Sequence, residues 1–166
     1  VRTARHSAIV VDTGPDPDLV SNCLSKLGIT EVPLLVLTHF HADHVGGIEG
    51  VLRRRRVGTI AVTALNDPLS MTQWVNGVVR AKGLTTTVLS YPAVLSISGV
   101  QLQVEWPRRL VLGQGSDPNN ASIVLRVMTN GLSVLLTGDI EPPVQDLLAG
   151  SIGHATVMKK IGRAHV

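Results

Sequence analysis

The chain contains a single cysteine, Cys23, in 166 residues, so no intrachain disulfide can form and no disulfide framework carries the fold. Cys23 lies in a stretch with helical spacing and is expected to be a small buried hydrophobe. Aromatic residues make up only 2%, one Phe, one Tyr and two Trp, which leaves few platforms for stacking on unpaired bases. Any nucleic-acid contact is therefore expected to be mainly to phosphates. Charged residues are sparse at 16%, yet no apolar run approaches the about 18 residues that a membrane span needs, and the segment is expected to be soluble by itself. Lys and Arg number 15 against 12 Asp and Glu, and the net charge of +3 permits an anionic partner without requiring one. Gly113-Gln114-Gly115 has no following Lys and no strand-to-helix setting, so it is not a phosphate loop, and no nucleotide cofactor is expected.

What the chain does have is concentrated in residues 38–47, Thr-His-Phe-His-Ala-Asp-His-Val-Gly-Gly. His39, His41, Asp43 and His44 directly follow the aliphatic run 34–37, which reads as a short buried strand delivering them to the carboxyl edge of a sheet. Imidazoles two residues apart can point the same way, while Asp43 and His44 leave the turn in another direction, so one loop can serve two adjacent metal centres. Neutral imidazole suits zinc, iron or manganese, and a carboxylate favours the harder of these.

The spacing His39-X-His41-X-Asp43-His44, followed by Gly46-Gly47, resembles the signature of the metallo-β-lactamase superfamily. Three further stretches, Val11-Asp12-Thr13-Gly14, Asn119-Asn120-Ala121-Ser122 and Leu135-Leu136-Thr137-Gly138-Asp139, resemble in order and spacing the β-lactamase-like domain of the ComEC competence family. The resemblance covers residues 7–159. It implies an α/β (α+β) fold, the αββα sandwich, with a site for two divalent ions, zinc or manganese, at one edge. His39 and His41 would bind the first ion, Asp43 and His44 the second, and Asp139 would bridge them, with Asp43 and Asp139 as the catalytic carboxylates. Asp12 would stand behind the histidine loop and orient it, although Asp-Thr-Gly is also an ordinary turn. Asn119, Asn120 and Ser122 would stand behind the ligands, where many superfamily members place a histidine. Amide oxygen is a poor zinc ligand and an acceptable one for hard cations, which makes manganese or magnesium credible. Turn chemistry before a strand is the other reading of these asparagines. For Asp139, the other reading is the cap of a helix starting near Pro142.

Along the chain, a strand is expected over 8–12 and a helix from Asp16-Pro17 to Gly28, with Leu19, Val20, Cys23, Leu24 and Leu27 at helical spacing. A strand up to Leu37 then completes a βαβ pattern with a partly parallel sheet. A short helix from Ile48 runs into Arg53, Arg54, Arg55 and Arg56. That run is a solvated helix end complementing the dipole or, alternatively, a phosphate contact. A strand over 59–64 and a helix capped by Asp67-Pro68 and ending near Gly83 follow, its apolar residues Leu69, Trp74, Val75, Val78 and Val79 read as packing groups. From residue 85 strands dominate: 86–89, 94–97, 100–106, 122–129 and 132–137. Asn130-Gly131 is a two-residue hairpin turn in an antiparallel meander, and 107–121 is a long loop. His6 and His154 are expected to be incidental.

One domain over 1–160 is expected. The family resemblance implies an aspartate-bearing hairpin before Val1 and a His-His-Gly-Ser ligand motif beyond Lys159, so the domain is expected to be incomplete at both ends. Residues 161–166, with His165, are expected to be a foreign tail, the translation of sequencing-adapter read-through.

The expected function is metal-dependent hydrolysis of a phosphodiester. By resemblance the substrate is DNA during competence, within a parent that carries a membrane channel and holds this domain on its extracytoplasmic face. Two other readings remain: a hydrolase of a lactone, thioester or β-lactam, which would call for a histidine in 107–121 where none stands, and a non-catalytic module binding DNA or a partner through Arg53 to Arg56.

Overall fold

The computed structural model describes residues 1–159, and the chain forms two compact units, Val1–Val88 and a second from Leu89 onward. The expected foreign tail, with His165, lies outside the described residues.

In the first unit, β1 (Arg2–Ala4) and β2 (Ser7–Ala8) form a hairpin, and β3 (Val10–Val11) follows. The single strand expected over 8–12 is thus broken at Ile9, which is buried at 1% exposure. Helix α1 (Pro17–Lys26) opens where Asp16 accepts hydrogen bonds from the N–H groups of Asp18 and Leu19, with Pro17 in the first turn. It closes before Gly28 at φ +68°, a conformation that costs glycine least. The buried stripe of α1 passes through Ser21 and Leu24, so Cys23 lies beside it and is exposed, contrary to the expected burial. Leu19 and Leu27 also face outward.

Next come β4 (Glu31–Leu37), α2 (Ala42–Val45), α3 (Ile48–Leu52), β5 (Arg56–Val62), α4 (Leu69–Arg80) and β6 (Thr86–Val88). Strand β4 is central and pairs in parallel with β2, β3 and β5, and β6 adds in parallel to β5. The expected βαβ logic holds, but β6 belongs to this parallel sheet and not to the antiparallel meander. Helix α4 starts one step later than Asp67-Pro68 predicts. Pro68 itself is the capping residue and no side chain caps the helix, because Asp67 lies outside the first turn. Its buried face is Thr72, Val75 and Val79, while Leu69 and Trp74 are exposed. The core of the unit gathers Val32, Leu35, Leu37, Phe40, Ile48 and Ile60. Each such burial contributes roughly 2 kcal/mol relative to exposure.

The second unit is a sheet in the order β11-β10-β9-β8-β7. Strands β7 (Val94–Ile97), β8 (Val100–Trp106), β9 (Val124–Thr129) and β10 (Leu132–Leu136) form the expected antiparallel meander. Asn130 at φ 48° and Gly131 at φ 77° make the turn between β9 and β10. The long loop before β9 holds one short helix, α5 (Asp117–Asn120). Helix α6 (Pro142–Ala149) begins after Glu141, and β11 (Val157–Lys159) adds in parallel to β10. The core of this unit includes Trp106, Val124, Leu135, Ile140 and Leu148. Among the described residues, no helix is long and apolar enough to cross a membrane.

Candidate metal centre

Strand β4 ends at Leu37, and the chain passes through Thr38, His39 and Phe40 to His41, the residue just before α2. Phe40 turns into the core at 1% exposure. The imidazoles on either side of it meet, with His39 Nε2 and His41 Nδ1 3.1 Å apart. His44, one turn on, lies against His39 with ring centroids 4.1 Å apart, and the ligating nitrogens of these two rings are within 4.8 Å of each other. Asp43 Oδ2 stands 3.8 Å from His44 Nε2, on a side chain 53% exposed.

Asp12, at the end of β3, organises this cluster. Its carboxylate accepts from Thr38 N–H at 2.8 Å, from Thr38 Oγ1 at 2.8 Å and from His44 Nδ1 at 2.9 Å. The residue is buried and has φ 56°, a left-handed backbone that aspartate tolerates better than most side chains. A carboxylate has only acceptors, so Thr38 spends its single hydroxyl proton on Asp12 and turns a lone pair to His39 Nδ1, 3.2 Å away. His39 is thereby protonated on Nδ1 and His44 likewise, which leaves Nε2 of both rings as acceptors. Burial, followed by the neighbouring charges of His44 and His41, pushes the His39 pKa down to about 2, so the ring is neutral near pH 7.

Glycines let α2 and α3 seat against residues 13–17. A Cβ at Gly46 would meet Pro15 O at 2.6 Å, one at Gly47 would meet Thr13 O at 2.5 Å, and one at Gly50 would collide with Pro17 O. Thr13 N–H and Oγ1 donate to His44 O at 2.7 and 2.9 Å, closing the same contact.

The donor set suits a cation. Two bonds of about 2.0–2.1 Å at a tetrahedral angle place their donor atoms roughly 3.3 Å apart, and the His39–His41 nitrogens stand at 3.1 Å. Facing nitrogens at that distance share either a proton or a metal ion.

In the second unit, Asp139 follows β10 through Thr137 and Gly138, and its N–H donates to Ser122 Oγ at 3.2 Å. Ser122 N–H donates to Asn119 O at 3.0 Å. Asn120 is fully buried: its carbonyl accepts from Trp106 Nε1 at 2.7 Å, its Oδ1 from Glu141 N–H at 3.1 Å, and its Nδ2 donates to Gln114 O at 2.7 Å.

A family model described as the metallo-beta-lactamase superfamily matches residues 1–161. The chain belongs to the metallo-β-lactamase superfamily. Its fold is shared at low identity by solved structures. A Cronobacter sakazakii metallo-beta-lactamase HARLDQ motif mutant matches with TM-score 0.64 and 13% identity over 95% of this chain and 70% of that one. The Zn(2+)-bound PqqB from Methylobacterium extorquens matches with TM-score 0.64 and 14% identity over 98% and 58%. The relative ComE operon protein 3 of Bacillus subtilis is 31% identical over 123 residues, which cover 71% of this chain and 15% of the relative. The kinship to the ComEC family expected from the motifs is therefore shown, and the chain spans a small part of that relative's length.

Within this metallo-β-lactamase fold, His39, His41, Asp43, His44 and Asp12 form one constellation in the first unit. Asp139, Ser122 and Asn119 form another in the second, linked by hydrogen bonds, and Glu141 connects Asn119 to Asn120. The four arginines of the run 53–56 have different surroundings. Arg53 pairs with Asp18 at 2.6 Å, Arg56 pairs with Glu31, and Arg55 donates to Ile29 O, Gly50 O, Ser21 O and Ser25 Oγ. Arg54 is exposed. Two residues escaped the reading of the sequence: Thr38, adjacent to the motif and so open to suspicion, and Glu141, which nothing in the sequence links to Asn119. His6 is exposed with Nδ1 2.8 Å from Gly28 O, and His154 is exposed as well.

Proposed function

We propose that the chain is a metal-dependent phosphodiesterase acting on DNA, with two divalent ions, manganese or zinc, as its cofactors. The observation that carries the reading is the Asp12–Thr38 relay, which fixes the tautomers of His39 and His44 so that unprotonated nitrogens face the same space as His41 Nδ1. His39 and His41 would hold one ion, and Asp43 and His44 the other. By resemblance, Asp139 would supply a further carboxylate ligand. When bound, such ions supply Lewis acidity and a water acidified enough to attack a phosphodiester near neutral pH. The protein's own part is orientation and proton handling. Asp12 holds His44, Thr38 holds His39, and the solvent-open Asp43 carboxylate is placed to accept a proton.

Kinship with ComE operon protein 3 supports DNA as substrate, and the loop 107–121, which has no histidine, counts against the lactone and β-lactam readings. On the same kinship, the parent protein would carry a membrane channel, with this domain on the extracytoplasmic face. The exposed Arg54 would touch phosphate, and Arg53 and Arg56 could join it by exchanging Asp18 and Glu31 for DNA. The test is incubation of the Mn2+-loaded chain with end-labelled linear DNA, alongside His39→Ala and a chromogenic lactone and β-lactam. Metal-dependent cleavage lost in His39→Ala supports the reading. Turnover of the lactone or β-lactam without DNA cleavage overturns it.

A further inference from the structure

Glu141 grips the loop that carries Asn119. Its Oε1 accepts from Asn119 Nδ2 at 3.0 Å and its Oε2 from Ser116 N–H at 2.9 Å. A Cβ at Gly115 would collide with that carboxylate, so glycine at this position, with φ +92°, lets Glu141 lie against the loop. A carboxylate offers no proton, and only the NH2 side of an amide can face it. The Asn119 amide is thereby fixed with Oδ1 turned away from Glu141. That oxygen is buried and accepts no hydrogen bond from any of the described residues. A buried acceptor held in one orientation without a donor is poised for an electropositive ligand. Asn119 also shares a frame with Asp139, since Ser122 donates its N–H to Asn119 O and takes the Asp139 N–H on its hydroxyl.

We infer that Glu141 is a positioning residue that presents Asn119 Oδ1 as a neutral oxygen ligand to a hard divalent cation. The inference rests on the metal-dependent reading above and deepens it. An amide oxygen favours Mn2+ or Mg2+ over Zn2+, so this pair favours the harder ion.

The test is calorimetric titration of the chain with MnCl2 alone and with ZnCl2 alone, with thermal unfolding of every variant as a control. Asn119→Ala and Glu141→Ala are each expected to weaken Mn2+ binding by about 10-fold or more, the range seen when groups that orient ligands are lost. Zn2+ binding should change by less than about 3-fold, because imidazole and thiolate, not amide oxygen, suit that ion. The two substitutions combined should cost no more than either alone, since they remove one device. The double variant Asn119→Asp with Glu141→Gln reverses the hydrogen bond: the new amide donates to the new carboxylate, accepts from Ser116 N–H and leaves one carboxylate oxygen outward. Mn2+ affinity should then return to near that of the parent chain, which a merely structural role would not produce. Unchanged Mn2+ affinity in Asn119→Ala overturns the inference and leaves a buried water as the partner of Oδ1. An equal fall for both metals with a lowered Tm and no rescue also overturns it. If the parent chain binds neither metal, the proposed function falls together with this inference, whereas either of the other failures leaves that function standing.

Discussion

Asp12 Oδ2 and His44 Nδ1 lie 2.9 Å apart across 32 residues of sequence, both nearly closed to solvent. The same carboxylate holds Thr38 and, through its hydroxyl, His39. One buried acid thus sets the proton positions of two rings that would bind metal. Asp12→Ala leaves the Thr38 N–H, the Thr38 hydroxyl and the His44 ring without their acceptor, so a stability loss on the order of 3 kcal/mol is expected in urea denaturation. Mn2+ affinity measured by calorimetry should fall about 10- to 100-fold. Asp12→Asn is the sharper variant, because its NH2 cannot accept from His44 Nδ1–H. It should lose metal affinity with less loss of stability.

Gly50 and Gly77 predict opposite signs for the same substitution. A methyl at Gly50 meets the Pro17 backbone, which cannot swing aside, so Gly50→Ala should destabilise by roughly 3 kcal/mol or more and loosen the seat of α3. A methyl at Gly77 meets nothing within 4 Å in the middle of α4, so Gly77→Ala should stabilise by about 0.5–1 kcal/mol. Thermal unfolding of both variants checks the pair: a lowered Tm for the first and a raised Tm for the second.

These positions mark how far the sequence could be read. The histidine motif was legible because its residue types are rare and crowded. The strands β7 and β8 matched their expected bounds because their apolar runs end at the turn residues Ser98-Gly99 and at Pro107. The pairing of a short strand was not legible. Strand β6 is three residues long, and nothing in Thr86 to Val88 tells a parallel partner from an antiparallel one. Cys23 was misplaced because a helix of ten residues offers two nearly equivalent apolar stripes, and only the packing of Ser21 and Leu24 chooses between them. Glu141 escaped notice because its partner Asn119 lies 22 residues earlier and is met only through the loop's course.

Acid should destabilise the metal-free chain through His39. Its folded pKa of about 2 lies below the ordinary value of 6.5. Between these two values the unfolded chain binds a proton that the folded one does not. Above pH 6.5 the group contributes no pH dependence. As pH falls below that value, it lowers stability by up to about 1.4 kcal/mol per pH unit. Urea midpoints at pH 7.5, 6 and 5 should therefore decline, and His39→Asn should flatten the decline. A slope unchanged in that variant would remove His39 as its source.

Arg126 and Glu105 form an ion pair at 2.8 Å with both side chains at or below 10% exposure. The guanidinium also donates to Ser133 Oγ and to the carbonyls of Gly153 and His154, tying the segment before β11 to the sheet. Removing one partner of a buried pair strands the other charge, and Arg126→Ala should cost about 3–5 kcal/mol. Because two of the lost bonds reach residues 153 and 154, limited proteolysis should first cut near them in that variant.

Arg54 and Arg55 are neighbours with separable roles. Arg55 has its guanidinium turned inward onto three carbonyls and a serine hydroxyl, so Arg55→Ala should lower Tm while the salt dependence of DNA binding stays as it was. Arg54 is exposed, so Arg54→Ala should leave Tm unchanged. If Arg54 meets a phosphate, its loss should weaken binding of a fluorescein-labelled duplex uniformly across sequences and reduce the slope of log K against log salt by about 1. Equal slopes for Arg54→Ala and the parent chain would move the DNA contact away from this run, because Arg53 and Arg56 must first give up Asp18 and Glu31 to reach a phosphate.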